Sequence, residues 1–373
     1  MTNFDDIRPY HDDEVQVTIS RLLADPEFIT TIAAFKFSHW PKWARRFIVP
    51  FVKSALKRDL GKVTDIRGVQ NLCSGYLDQV IEKTISEITI SGLENLQPGK
   101  PYLFISNHRD IVMDPAFVNY ALYHNGFDTA RIAIGDNLLQ KPFVSDLMRL
   151  NKSFIVKRSA SGIREKMNAY LALSKYIHHS IAEGCTIWIA QREGRAKDGI
   201  DRTDPAIIKM LYMSQKKGDL SFADYMHWLH IVPVVISYEY NPCDQLIANE
   251  RYQINTHGNY LKKPGEDLNS IVTGITGYKG HVHVAFGQRL QGTLTTAETV
   301  AAEIDRQMLE NSLIHPSNYL AAVELAPSIK DGREVDPGKR QEFIERLNRC
   351  EDNLKPYFLA LYANALLQKS GRL

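Results

Sequence analysis

The feature that most restricts the fold is a series of short apolar runs separated by stretches with helical periodicity. Four of these runs read YLFISN, SFIVKRS, CTIWIAQ and HIVPVVISYEY. The stretch IREKMNAYLALSKYIHHSIAEG has the period of an amphipathic helix and ends at a glycine. Strands that alternate with helices are typical of a sheet covered on both faces. The sequence therefore predicts an α/β fold with a mostly parallel central sheet flanked by helices.

This alternation is confined to the middle of the chain. It occupies residues 86–295, where EITISGLENL, TARIAIGD and HVHVAFGQRL add further strand candidates. Residues 1–85 and 296–373 have helical patterns and no strand signal. We therefore expect an α/β domain at 86–295 between a helical N-terminal region and a helical C-terminal region. The polar segment at 237–280 has no clear periodicity, and Pro41 and Pro50 are expected to interrupt the N-terminal helices.

Composition excludes several classes of protein. The net charge of +2 in 373 residues gives no general reason to expect a nucleic-acid partner. The cysteines form no CxxC pair, so neither a zinc cage nor a disulfide framework is expected, and no cofactor is predicted. These cysteines are Cys73, Cys185, Cys243 and Cys350. The polar, acidic start MTNFDDIRPYHDDE does not resemble a signal peptide, and no apolar run has transmembrane length, so we expect a cytoplasmic protein.

The segment SNHRDIVMDP combines a histidine with two carboxylates at the end of a predicted strand. His108 is followed by Asp110 and Asp114. A general base needs a partner that fixes its tautomer, and a carboxylate one helical turn away can supply it. The other interpretation is structural, because an aspartate here can cap the following helix. The segment alone does not decide between a catalytic pair and a helix cap.

Cations follow two other predicted strands at the same relative position. Lys157 and Arg158 end SFIVKRS, while AQREGRAKDG contains Glu193, Gly194, Arg195 and Lys197 just after its strand. The carboxyl ends of parallel strands meet at one edge of a sheet, where ligands bind. We therefore expect these cations to converge with His108. Arginine matches the geometry of phosphate, which favours a phosphorylated substrate.

The order of these blocks resembles the glycerophospholipid acyltransferase family. The residues that carry the resemblance are NHRDIVMDP, SFIVKRS, AQREGRAKDG and IVPVVISYE, across roughly residues 86 to 290. The intervening IGDNLLQKPFVSDLMRLN looks like the glycerol-3-phosphate and dihydroxyacetone-phosphate acyltransferase branch. Two blocks depart from the family pattern. Five residues instead of four separate His108 from Asp114, and the third block is one residue shorter than the commonest form. The extra residue leaves Asp110 as the alternative dyad acid.

The resemblance implies acyl transfer from acyl-CoA or acyl carrier protein to a hydroxyl of a glycerol-phosphate acceptor. His108 would be the general base, oriented by Asp114, and no metal would be required. The remaining family positions would bind the acceptor, and they are Lys157, Arg158, Glu193, Gly194, Arg195 and Lys197. The same resemblance allows two alternative functions. The protein could be a lysophosphatidate or other-acceptor O-acyltransferase, or a lipid-binding relative without catalytic activity.

A further segment mixes aromatic and basic side chains, FKFSHWPKWARRFIVPFVKSALKRDLGK. Such a mixture suits an anionic membrane surface, so the protein could be peripheral on the inner face of the cell membrane. The segment could equally be a helical cap on the α/β core with its cations in water. Both interpretations are open at the level of sequence.

Overall fold

The computed structural model describes residues 4–37, 40–263, 265–292, 294–329 and 333–373, and its fold is of the predicted α/β class. Within these ranges the strands are β1 Ile85–Ser91, β2 Leu103–Ser106, β3 Arg131–Gly135, β4 Ser153–Val156, β5 Ile187–Ala190, β6 Ile231–Tyr238 and β7 Gly280–Phe286. The helices are α1 Asp12–Ala24, α2 Pro26–Lys36, α3 Lys42–Leu60, α4 Ile66–Thr84, α5 Met113–His124, α6 Pro142–Leu150, α7 Gly162–Ala182, α8 Pro205–Tyr212, α9 Phe222–Trp228, α10 Asp244–His257, α11 Glu266–Thr276, α12 Ala297–Asn311, α13 Pro316–Leu325, α14 Pro337–Asn348 and α15 Lys355–Lys369.

The chain divides into two compact units. Unit 1 comprises Met1–Asp78 and Ala130–Tyr176, and unit 2 comprises Gln79–Thr129 and Ile177–Leu373. Compactness thus groups two separate stretches of sequence in each unit, whereas the boundaries expected at residues 85 and 295 follow changes in periodicity. Those sequence boundaries stay a prediction.

Unit 2 is built on five strands in the order β1-β7-β6-β2-β5. Strands β5, β2 and β6 are mutually parallel, β7 is antiparallel to β6, and β1 is parallel to β7. The three parallel strands are apolar and almost fully buried, since helices cover such strands on both faces. Their carboxyl ends share one edge, which brings the residues after Ser106, Ala190 and Tyr238 together.

Unit 1 contains the parallel pair β3 and β4 and the N-terminal helices. Its core joins apolar side chains of α1, α2, α3 and α6, which include Val15, Phe28, Leu56 and Phe143. Burial of this apolar surface is what holds the N-terminal helices in place, because most helical stability in proteins comes from packing.

Three details differ from the sequence-based expectation. Pro50 lies inside α3 and does not end it. The lost backbone hydrogen bond is tolerated there because Val52 and Leu56, on the other side of the helix, are buried in the core. The polar segment 237–280 contains α10 and α11, and the region before β6 contains α8 and α9, none of which was predicted from the sequence. Among the described helices, none is both long and apolar enough to cross a membrane.

Candidate active site

The loop after β2 is fixed to β6 by an asparagine side chain. The Asn107 amide donates from Nδ2 to the Ile236 carbonyl at 3.0 Å, and its Oδ1 accepts from the Ile236 N–H at 2.9 Å. Asn107 is buried, so these two bonds also satisfy polar atoms that would otherwise be costly to bury. The next residue, His108, therefore leaves the sheet edge from a rigid base.

The structure places His108 against Asp114. Its Nδ1 lies 2.9 Å from Asp114 Oδ2, and the imidazole packs edge-on against Trp188 with ring centroids 6.0 Å apart. The His108 side chain is 15% exposed, whereas that of Asp114 is fully buried. Within the part of the chain that the structure describes, Nε2 has no hydrogen-bond partner. A proton on Nδ1 leaves Nε2 as the acceptor, which is the tautomer that a general base needs.

The Asp114 carboxylate accepts four hydrogen bonds from described residues. Besides His108, its Oδ2 accepts from the backbone N–H of Arg109 at 2.6 Å and of Asp110 at 2.9 Å. Its Oδ1 accepts from the hydroxyl of Tyr238 at 2.6 Å. Hydrogen bonds to the charged form stabilise a buried carboxylate, which would otherwise be strongly disfavoured by desolvation. Asp114 lies in the first turn of α5, where the helix dipole also favours negative charge.

Asp110 caps the start of α5, which is the structural role that the sequence left open. Its Oδ1 accepts from the backbone N–H groups of Val112 and Met113, at 2.9 and 2.8 Å, just before α5. Burial, together with the nearby Asp114 carboxylate, raises the pKa of Asp110. Both sequence interpretations thus apply, but to different residues. Asp110 satisfies the start of the helix, and Asp114 contacts the histidine.

The loop after β5 is joined to the His108 loop through the backbone. The Ala196 N–H donates to the His108 carbonyl, and the Gln191 N–H donates to the Ser106 carbonyl, each at 2.7 Å. The predicted convergence of these two loops at the sheet edge is therefore observed. An ion pair between Arg109 Nη2 and Asp201 Oδ2, at 2.7 Å, holds the same loops together and was not predicted from the sequence. No pattern marks it, because its members are 92 residues apart.

Arg195 lies beside Asp110 and Cys243. The positive charge of Arg195 opposes the pKa increases that burial imposes on the Asp110 carboxyl and on the Cys243 thiol. Its Nη1 is buried and, among the described residues, has no hydrogen-bond partner. A buried guanidinium N–H without an acceptor is costly, so this donor is suited to an anionic partner.

The other predicted residues of this loop have different surroundings. Gly194 has φ +76°, a left-handed conformation that glycine adopts without a steric penalty. Glu193 is exposed beside it. Lys197 forms an ion pair with Glu250, so part of its charge is already neutralised. The predicted roles of these residues in acceptor binding stay predictions.

Lys157 and Arg158 belong to unit 1 and are described within it. Lys157 forms an ion pair with Asp6, and the backbone N–H of Arg158 donates to Asp136 Oδ1 at 3.0 Å. These contacts order the end of β4. Their predicted convergence with His108 stays a prediction. Among the described residues, no group of three histidine, cysteine or carboxylate side chains is arranged to hold a metal ion.

Comparison with known proteins gives one family match. Residues 87–237, less than half of the chain, match the family model described as Acyltransferase. No curated protein sequence matches. Among solved structures, the chain is similar to the 1-acyl-sn-glycerophosphate (LPA) acyltransferase PlsC from Thermotoga maritima, with 15% sequence identity and a TM-score of 0.37. The match covers 79% of this chain and 97% of that one. So low a TM-score carries no conclusion about substrate or activity.

The family match begins in β1 and ends within β6, so it contains the His108 loop, the β5 loop and their strands. The matched segment thus contains His108, Asp114 and Arg195, while Tyr238 lies one residue beyond its end. Residues 87–237 of this α/β protein are therefore similar to the Acyltransferase family.

Proposed function

We propose that the protein transfers an acyl group from a thioester, acyl-CoA or acyl carrier protein, to a hydroxyl of a glycerol-phosphate acceptor. The observation that carries this proposal is the His108–Asp114 pair, in which Asp114 holds Nδ1 and leaves Nε2 unpartnered among the described residues. This geometry suits a general base acting on an alcohol.

In the proposed reaction, Nε2 of His108 takes the proton of the acceptor hydroxyl. The hydroxyl oxygen of the acceptor attacks the thioester carbonyl carbon at the same time. The tetrahedral intermediate then collapses, the carbon–sulfur bond breaks, and the thiolate takes the proton back from His108. An ester and a free thiol are the products, and the imidazole is returned to its starting state. Asp114 stabilises the transient imidazolium, since a buried carboxylate with fixed donors needs no reorganisation during the step.

Direct transfer is favoured over an acyl-enzyme intermediate. Burial raises the pKa of the Cys243 thiol, which lies beside Arg195, to about 11. A thiol with so high a pKa contains little thiolate at neutral pH and is a poor nucleophile. The acceptor hydroxyl is therefore the proposed nucleophile.

The acceptor phosphate is proposed to bind at Arg195. The unpartnered Nη1 donor supports this assignment, because arginine bonds to phosphate through charge-assisted hydrogen bonds. Glu193, Gly194 and Lys197 belong to the same loop and would shape this subsite. Lys157 and Arg158 keep the acceptor-binding role that the family resemblance implies.

A peripheral location on an anionic membrane surface is the second part of the proposal. Helix α3 exposes Trp43, Phe47 and Phe51 at 70%, 72% and 75%, and their spacing of four residues aligns them as one aromatic ridge. A cationic row of exposed side chains runs beside the ridge, formed by Arg46, Lys53 and Lys57. Exposed aromatics with adjacent cations suit the boundary between lipid headgroups and acyl chains.

The direct test is an acceptor panel with purified protein. Long-chain acyl-CoA and acyl carrier protein are supplied as donors, and free thiol and ester product are both measured. The acceptors are glycerol 3-phosphate, dihydroxyacetone phosphate, lysophosphatidate and unphosphorylated glycerol. We expect thiol release that depends on a phosphorylated acceptor and matches the ester formed. Thiol release without an acceptor would indicate a thioesterase, and lipid binding without thiol release would indicate a protein that is not an enzyme.

A further inference from the structure

Tyr238 is the residue that completes the surroundings of Asp114. Three donors, from His108, Arg109 and Asp110, all converge on Oδ2. The other oxygen, Oδ1, accepts from the Tyr238 hydroxyl. In the part of the chain that the structure describes, Oδ1 of Asp114 has no other hydrogen-bond donor than the Tyr238 hydroxyl.

The direction of the Tyr238 hydroxyl is fixed from two sides. Tyr238 is the last residue of β6 and pairs with Val282 in the antiparallel ladder with β7. Its ring packs against Phe117 of α5, with centroids 5.8 Å apart, one helical turn beyond Asp114. Burial, followed by the charge of Asp114, raises the pKa of Tyr238 well above its usual value. The hydroxyl therefore remains a donor at any physiological pH.

We infer that Tyr238 is a positioning residue of the His108–Asp114 pair, which sets how strongly the imidazole holds a proton. This inference rests on the proposed function. Tyr238 contacts Asp114 and is not assigned to a substrate, so it would act through the carboxylate alone.

The physical reason is a difference between two charge states. With His108 neutral, no positive charge on the imidazole offsets the buried Asp114 carboxylate, and its hydrogen bonds, the one from Tyr238 among them, stabilise it. With His108 protonated, the imidazolium already neutralises part of that charge, so the same bond contributes less. Removal of the hydroxyl thus destabilises the neutral-histidine state more than the imidazolium state. A base held as imidazolium is inactive, so the loss of activity should be greatest at low pH.

The test compares the rate–pH profiles of the parent, Tyr238→Phe and Tyr240→Phe. Tyr240 is a matched control, since it is two residues away and its buried hydroxyl has no partner among the described residues. In Tyr238→Phe the acid limb of kcat should move up by about one pH unit, the size expected for loss of part of a charge-assisted hydrogen bond. That shift lowers the rate about tenfold on the acid limb and leaves the high-pH plateau and both KM values near the parent's. Tyr240→Phe should keep the parent profile.

A second measurement does not depend on turnover. The pH at which the His108 ring protonates, followed by ¹⁵N NMR of the labelled protein, should also be about one unit higher in Tyr238→Phe. The described ionisable groups around the pair are unchanged in all three proteins, and they include Arg109, Asp110, Arg195, Asp201 and Lys279.

Three outcomes are informative. A shift of the NMR midpoint and of the acid limb in Tyr238→Phe alone supports the inference. An equal loss of activity at every pH, with no NMR shift, would show that Tyr238 is only structural and would overturn it. A parent protein without transferase activity would refute the proposed function, yet the NMR midpoints would still decide the role of Tyr238.

Discussion

The loop around Asp114 and the surface of α3 both depart from the usual distribution of polar and apolar side chains between interior and surface. They depart from it in opposite ways. At the loop, a carboxylate is fully buried. At α3, three large aromatic side chains are about three-quarters exposed. Each arrangement is unfavourable by itself, because water prefers the charge and the interior prefers the aromatics.

The two regions differ in where the compensation is found. Asp114 is compensated within the chain by one side-chain N–H, two backbone N–H groups and one hydroxyl. Among the described residues the aromatic ridge of α3 has no cover, since the opposite face of the helix supplies the residues buried in the core. A buried charge with a full set of donors is typical of a prepared catalytic group. An exposed apolar ridge is instead typical of an interaction surface, and this is the basis of the membrane contact that we propose.

The largest expected effect comes from removing the base. His108→Ala should reduce kcat by about 10²–10⁴-fold, which is the usual contribution of general-base catalysis. The measurement is thiol release under saturating donor and acceptor, with circular dichroism to confirm the fold. Retention of near-parent turnover would mean that the buried charge at Asp114 serves structure and not catalysis.

The next largest effect is a difference in kcat between the Asp114→Asn and Asp110→Asn variants. Asp114→Asn leaves the side chain in place but gives the histidine the wrong partner, so kcat should fall nearly as far as in His108→Ala. Asp110→Asn keeps the Oδ1 acceptor for the start of α5 and removes a charge that burial disfavours, so it should cost much less. The reverse order of activities would assign the dyad acid to Asp110.

A smaller effect is expected at Arg195. Arg195→Lys keeps a positive charge near Asp110 but loses the planar fork that suits phosphate. The acceptor KM should rise by about 10- to 100-fold, as expected for loss of a hydrogen bond to a charged group, while the donor KM changes little. Arg192→Ala, in the same loop, is the control. A rise in donor KM alone would place the donor phosphates at Arg195.

The smallest effect on catalysis should come from the cationic row on α3. Arg46, Lys53 and Lys57 changed together to Glu should weaken binding to anionic vesicles by at least about two orders of magnitude, since each lost cation contributes about 1 kcal/mol and the new carboxylates are repelled. Arg45 is left unchanged because its Nε donates to the Trp40 carbonyl at 2.8 Å. Activity on a soluble acceptor should persist.

The matched control for the vesicle experiment reverses three exposed cations of unit 2, Lys216, Lys217 and Arg340. Cosedimentation of the α3 variant equal to that of the parent would place the membrane contact elsewhere. Unfolding of the α3 variant would favour the structural interpretation of this helix.

Much of the fold was accessible from periodicity. The apolar runs that became β2, β5 and β6 are short, continuous and buried on both faces, and such runs report burial directly. Helices α8 to α11 were not predicted, because α8 and α9 have only eight and seven residues and α10 has weak amphipathic periodicity. The continuation of α3 through Pro50 belongs to the same group, since core packing overrides the local preference of proline.

The sequence by itself determined the alternation of strands and helices, the residue types at the strand ends, and the proximity of His108 to two carboxylates. These are local properties, fixed by spacing along the chain. Only the tertiary structure decided that Asp114 contacts the imidazole while Asp110 satisfies the start of α5. Only the tertiary structure brings Tyr238 to Asp114, which is 124 residues away in sequence. It likewise brings Asp201 to Arg109, which is 92 residues away. Hydrogen bonds across such separations leave no periodic pattern, because they depend on the order of strands in the sheet.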